Sequence, residues 1–252
     1  AAFPDDGSTR AEFYDSSGRT PTYLDAGSSL VRPVAGMNYN SVRAALWTRA
    51  GVFNSYISNG TPYTITSHTE FLADQARAVV DYTGNVFIVG KSNASDIKWK
   101  KYLSGSWTSA AVVDNSPDAI ADNSLSLGVN DNANSTVVTA AWVQRSGTLD
   151  TIRAAHYTSA PTWGTPQELD TNTTHLPATA PAVSVSPDGL RRMVVWIGGT
   201  AGNSHIYASI DRTTGWSAAV KIDNTTADKF RPNVSINNDG KAMAVWHEKG
   251  TI

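Results

Sequence analysis

Four acidic side chains, Glu70, Asp118, Asp228 and Glu248, fall in short polar stretches of this 252-residue chain. Two carboxylates roughly 5–10 Å apart can share acid–base and nucleophilic work on a glycosidic bond. These four would do that work if the chain is an enzyme, but their spacing marks no particular pair, so no catalytic residue is assigned. A second set could hold a ligand without transforming it: Trp47, Trp142, Trp196 and Trp246, with His175, Asp228, Arg49 and Arg145. An indole offers a flat apolar face to the C–H side of a sugar ring, and Asp or Arg can bond its hydroxyls. The competing reading of the tryptophans is packing. Each follows, by two residues, a small side chain on the same strand face: Ala45, Ala140, Val194 and Ala244.

The histidines give a weaker signal. His68 and His175 occupy equivalent stretches and could face a ligand, but no His-X-X-X-His spacing marks a metal site. No cofactor is expected. Calcium stays open, although neither "VNDNANS" nor "SPDG" matches a twelve-residue calcium loop. The metal content is unknown at this level.

These residues recur at corresponding places because the chain repeats. "AAVKIDNTTADKFRPNVSINNDGKAMAVW" (Ala218–Trp246) runs parallel to "PQELDTNTTHLPATAPAVSVSPDGLRRMVVW" (Pro166–Trp196). Both read apolar–Asp, a Thr/Asn-rich loop, Pro, an apolar run, an Asp-Gly turn, and an apolar run ending in Trp. Ala110–Trp142 and Thr22–Trp47 follow the same plan. Tyr63–Gly90 is the weakest copy, with Thr66 in place of the Asp and Gly90 in place of the Trp. After each Trp come two more runs joined by a polar turn, as in "IYASIDRTTGWSAAVKID" (Ile206–Asp223). Each unit therefore predicts four short strands, and no segment has a helical period.

The landmarks Asp25, Thr66, Asp114, Asp170 and Asp223 are separated by 41, 48, 56 and 53 residues. A final step of 54 residues is obtained by running from Asp223 through the C-terminus and on from the N-terminus to Asp25. The expectation is an all-β, five-bladed β-propeller of four-stranded antiparallel blades, one domain over 1–252. The blades are 26–66, 67–114, 115–170, 171–223, and 232–252 completed by 11–25, so that the N- and C-terminal strands close the ring.

In this layout the chain resembles five-bladed propellers of the tachylectin type. "SIDRTTGW" (Ser209–Trp216) also resembles a degenerate Asp-box, the hairpin of sialidase-like propellers. The resemblance implies that fourth-to-first and second-to-third loops surround a central channel, where ligands bind. The Asp-box in that family is structural. No arginine triad or Tyr/Glu couple of the sialidase kind can be assigned, and the first strands offer only Asp81 and Asp131 as acids.

Composition narrows the classes. The net charge is −2 with no basic run, so nucleic acid is not expected as a partner. Cysteine is absent, which removes thiol chemistry and Cys-ligated zinc. No stretch reaches the ~20 apolar residues of a membrane span. Low Lys and abundant Asn and Thr suit a secreted or extracellular protein. The functional expectation is a non-catalytic recognition protein, probing glycans on a cell surface or polysaccharide. The alternatives are a glycoside hydrolase with loop carboxylates at the channel, and a protein-interaction scaffold.

Overall fold

The computed structural model describes residues 2–5, 8–15, 18–25, 30–37, 42–49, 52–58, 64–72, 75–132, 134–146, 149–158, 162–170, 180–200 and 202–249. For 2–37, 43, 49, 58, 64, 146 and 149 it describes the backbone alone. Among these residues there are strands and turns and no helix, as runs of Val, Ile, Ala and Thr stopped by Gly, Asn or Asp require.

The chain divides into two compact units, Ala1–Asn93 with Ile97–Val112, and Ala94–Asp96 with Val113–Ile252. The first unit holds three antiparallel sheets in chain order. Sheet 1 is Ala2–Asp5, Ser8–Asp15 and Gly18–Asp25. Sheet 2 is Leu30–Met37, Arg43–Arg49, Val52–Ser58 and Thr64–His68. Sheet 3 is Ala76–Val80, Val86–Lys91, Ile97–Leu103 and Ser106–Trp107, with Ala111–Asp114 also paired to Ile97–Leu103.

The second unit holds sheets 4 to 6. Sheet 4 places Ala119–Ile120 and Ser126–Val129 on one edge of Val138–Ser146, followed by Leu149–Tyr157 and Gln167–Glu168. Sheet 5 is Ala182–Val185, Arg192–Thr200, Asn203–Asp211 and Val220–Lys221. Sheet 6 is the pair Lys229–Ile236 and Ala242–Glu248.

The expected strand order within each repeat is therefore present, but the expected closure is not. Among the described residues the N-terminal strands and the C-terminal pair form separate sheets, giving six sheets where five blades were expected. One physical reason lies in sheet 1. Ala2–Asp5 pairs with Ser8–Ala11 and occupies part of the strand edge that closure would need. Ala242–Glu248 has Lys229–Ile236 on one side, and its Met243 and Val245 are 67% and 53% exposed.

Both faces of the middle sheets are apolar because each packs between neighbours. In sheet 5, Val194 and Trp196 pack toward Ala141, Val143, Ile152 and Ala154 of sheet 4. The alternate residues Val195 and Ile197 pack toward Val234 and Trp246 of sheet 6. Period-two alternation thus serves two cores at once. In the first unit, Ala44, Leu46 and Phe53 pack against Phe71, Val86 and Ile88. The aberrant repeat is explained there: a Cβ on Gly90 would lie 2.8 Å from Phe71 Cδ1 and 2.7 Å from Ala76 Cβ. Phe71 fills from the loop the space that a strand tryptophan fills elsewhere.

The turns between first and second strands share one device. Asp81, Asn130, Ser186 and Asn237 occupy the same place, and each side-chain oxygen accepts a backbone N–H across the turn, from Asn85, Val137, Arg191 and Lys241. "SIDRTTGW" behaves similarly in its own hairpin. Asp211 Oδ1 accepts from the N–H groups of Thr213 (2.9 Å) and Gly215 (3.2 Å), and Asp211 bridges to Trp216. Gly215, at φ +111°, supplies a backbone conformation that L side chains rarely adopt.

Candidate functional site

The first strands of sheets 4, 5 and 6 run side by side in the second unit. They approach closely near their C-terminal ends. A Cβ on Gly128 would meet Val183 Cγ1 at 3.0 Å and Val185 Cγ2 at 3.3 Å, and the Ile236 N–H donates to Ser184 Oγ at 3.2 Å. At their N-terminal ends the strands line a cleft of about 460 Å³, formed by Ser126–Leu127, Ala180–Val183 and Arg231–Asn233. These ends follow the fourth-to-first loops, where the propeller resemblance implies that ligands bind.

The cleft combines aliphatic walls with a few polar groups. Leu127, Pro181, Val183 and Pro232 are apolar, and Ser126, Asn233 and Arg231 are polar. Asn233 Oδ1 accepts from the Val234 N–H at 2.8 Å, which leaves its amide NH₂ to donate outward. No Asp or Glu is among the described residues that line the cleft. Arg231 lies in a bulge of the Lys229–Ile236 strand, where the register shifts between Phe230 and Asn233. A matching bulge falls between Val31 and Val34, at Arg32–Pro33. The repeated Arg-Pro dipeptide is the signal that would have singled out this position in the sequence.

Beside the cleft strand lies a buried ion-pair network. Lys229 is 1% exposed. Its Nζ lies 2.6 Å from the Ala227 carbonyl, 3.3 Å from the Thr225 carbonyl, 3.3 Å from Asp223 Oδ2 and 3.5 Å from Glu248 Oε2. Asp223 also accepts from the Ile206 N–H at 2.9 Å and lies 3.2 Å from His205 Nδ1. Burial pushes the Asp223 carboxyl up, but the Ile206 N–H, His205 and Lys229 together outweigh it and hold it below the usual range. Glu248 is held low chiefly by the Thr225 hydroxyl, which donates at 2.9 Å. Asp228 Oδ1 accepts from the Gly202 N–H at 2.6 Å. Two of the four candidate acids, Asp228 and Glu248, thus come to one loop cluster, but both are engaged in holding it. Lys229 was not anticipated, because the chain has Leu30 and Ile120 at the corresponding places.

The other candidates are dispersed. Asp118 precedes sheet 4, its N–H donating to Ser116 Oγ and its carbonyl accepting from Gln144 Nε2. Arg145 is bound in a fork to Asp150, at 2.6 and 2.9 Å, which raises its pKa further. Trp142 and Trp196 are 0% exposed in the second unit, and Trp47 is 2% exposed in the first. Their burial leaves no ring face open to a sugar and matches the packing alternative. Trp246 is half-buried against the sheet 5–6 core. His175 and the Arg49 side chain lie outside the described residues.

The landmark aspartates hold strands as well as turns. Asp114 Oδ1 accepts from the Ser116 N–H at 3.2 Å, capping the next turn. Buried Asp170 instead accepts from the Trp196 indole N–H at 3.1 Å. Asp170→Ala is expected to lower stability by about 2 kcal/mol, as the buried indole N–H loses its acceptor. Asp170→Asn, which keeps an oxygen, should lose less. Urea unfolding of the three proteins checks the order.

In the first unit, His68 is buried at the end of its strand rather than solvated in a loop. Its Nε2 is 2.8 Å from the Ser55 hydroxyl, its Nδ1 3.6 Å from Glu70 Oε1, and Glu70 is paired with Lys100 at 2.6 Å. Serine, histidine and glutamate stand in the order of a nucleophile, base and acid. Ser55 and His68 are 1% and 0% exposed, however, with Trp107 edge-on to the imidazole at 4.7 Å. Buried Ser55 offers a substrate carbonyl no route, and His68 Nδ1 is buried without a hydrogen bond to Glu70, so the trio is not an assembled triad. Among the described residues, no group of three or more His, Asp or Glu side chains is placed to hold a metal ion.

No family model matches this sequence. No curated protein matches it either. Solved structures do. Two structures of the lectin of Aleuria aurantia, described as a fucose-specific lectin with a six-bladed β-propeller fold, share 10% identity with this chain. They match over 98% of this chain and 86% of theirs, with TM-scores of 0.50 and 0.51. TolB from Acinetobacter baumannii matches over 90% of this chain at 13% identity and a TM-score of 0.49; the chain spans about half, 52%, of that protein. An endo-arabinase from Bacteroides thetaiotaomicron matches over 89% of this chain and 92% of its own, at 15% identity and a TM-score of 0.46. The likeness to the lectin structures shows a fold of the β-propeller type. Tachylectin-like blade number is not what those relatives have.

Proposed function

We propose that this chain is a non-catalytic, secreted recognition protein that binds carbohydrate in the cleft between the first strands of sheets 4, 5 and 6. The observation that carries this reading is the cleft's composition. Leu127, Pro181, Val183 and Pro232 suit the C–H face of a sugar ring, and Ser126, Asn233 and Arg231 suit its oxygens. The absence of a lining carboxylate among the described residues argues against hydrolysis there. Asp228 and Glu248, the best remaining pair, are held by Gly202 and by Lys229 with Thr225. That a propeller lectin is among the structural neighbours is consistent with the reading, although fold alone does not assign function.

The expected result is binding to at least one glycan on an array, with no release of reducing sugar from the same glycan on prolonged incubation. Hydrolysis that is lost in Asp228→Asn or Glu248→Gln would replace this reading with the hydrolase. If no glycan is bound and none is cleaved, the carbohydrate reading fails.

A further inference from the structure

We propose that the cleft prefers sugars that carry a carboxylate, with Arg231 as the residue that recognises the charge; this rests on the carbohydrate reading above. Three observations point to it. First, Arg231 is the one charged residue among the described residues that line the cleft. Second, its guanidinium has no ion pair or hydrogen bond among the described residues, whereas four other arginines of the same unit each face a carboxylate. Arg145 faces Asp150, Arg153 Glu168, Arg191 Asp188 and Arg192 Asp211. A planar fork with five donors, left unpaired beside aliphatic walls, fits a carboxylate held in two parallel hydrogen bonds.

Third, the backbone of Arg231 is in the left-handed region, at φ +49°. That conformation is unfavourable for a non-glycine residue, and the following Pro232 restricts the residue before it to extended backbone. Glycine would be the easy choice at this bulge, and arginine stands there instead. Strain of this kind collects at ligand-holding positions. The neighbouring acids do not compete for the guanidinium. Asp223 and Glu248 are engaged by Lys229, and Asp228 by the Gly202 N–H.

The test uses matched probes: galacturonate oligomers against galactose oligomers, and glucuronate against glucose oligomers, with sodium sulfate as a simple-anion competitor. The acidic member of at least one pair should bind wild-type protein at least tenfold more tightly than its neutral partner. Arg231→Gln should remove that preference, and Arg231→Lys should keep part of it. Arg231→Gly should lose the preference while melting no lower than wild type, because glycine accepts the left-handed backbone; this separates recognition from folding. If both members of every pair bind equally and Arg231→Gln changes nothing, the charge preference is wrong and the carbohydrate reading stands. If sulfate displaces the acidic sugar at equal concentration, the site takes simple anions and the proposal is overturned. If no member of any pair binds while another glycan on the array does, the charge preference is wrong and the carbohydrate reading stands; if nothing on the array binds either, both fall.

Discussion

Replacing Lys229 with methionine is expected to destabilise the second unit by about 3 kcal/mol at pH 7, near the low end for breaking a buried ion pair. Methionine fills much of the same volume, so the loss is electrostatic. It strands Asp223, which is itself buried, and leaves the Thr225 and Ala227 carbonyls without their donor. The loss stays at the low end because Asp223 keeps the Ile206 N–H and His205, and because Glu248 is partly exposed. The effect should depend on pH with a definite sign. In the wild type the Asp223 carboxyl is held below its usual range, so it contributes stability above the unfolded-state value. That contribution is lost as pH falls through the lowered value. In Lys229→Met the lysine's share is gone at every pH. The gap between variant and wild type should therefore be widest at neutral pH and narrow as pH drops through the carboxylate range. Urea unfolding at a series of pH values measures the gap; one that stays constant with pH would mean that Lys229 acts by packing alone.

Acidification alone should weaken the first unit through His68. Burial, aided by the nearby Lys100 ammonium and opposed by Glu70, lowers the imidazole pKa from 6.5 to about 4. The folded unit thus holds His68 neutral while the unfolded chain protonates it. Stability is complete above about pH 6.5 and falls as pH drops toward 4, by roughly 3 kcal/mol at about 1.4 kcal/mol per pKa unit. Below 4 this contribution changes no further. His68→Gln keeps an acceptor for the Ser55 hydroxyl and has no proton to gain, so it should be less stable at pH 7 yet lose less between pH 6.5 and 4. The unfolding midpoint against pH for the two proteins gives the comparison. Parallel curves would rule out His68 as the sensitive group.

The periodic part of this molecule was legible in the sequence because its causes are local. Alternating apolar runs and Asn, Asp and Gly turns predicted the first strands, which the structure places at Leu30–Met37, Ala76–Val80, Ser126–Val129, Ala182–Val185 and Lys229–Ile236. What remained hidden depends on contacts between units of the repeat. Nothing in the repeat marks Ala2–Asp5 as a strand, yet it pairs with Ser8–Ala11 and stands where closure was expected. Gly90 reads as a defect until Phe71 is seen filling its place. Asp170 and Trp196 are 26 residues apart, and only sheet-on-sheet packing joins them.

The candidate site shows the same division. Asp228 and Glu248, which the sequence left unpaired among four acids, come to one loop cluster, where the Gly202 N–H holds the first and Lys229 with Thr225 the second. The tryptophans were the most conspicuous candidates because of their chemistry, and burial removes Trp47, Trp142 and Trp196 from any surface. Arg231 was one charge among many in the sequence. The repeated Arg-Pro dipeptide marks its place in the sequence, but its bulge, its backbone angle and its lack of a partner among the described residues are visible only in three dimensions.

The most direct measurement of the central claim is a crystal structure of the protein with the glycan that it binds. Density for an intact sugar between Ser126, Pro181 and Arg231, with its ring against Leu127 or Pro232, is the predicted result. Density elsewhere on the surface, or a cleaved sugar between Asp228 and Glu248, would contradict it.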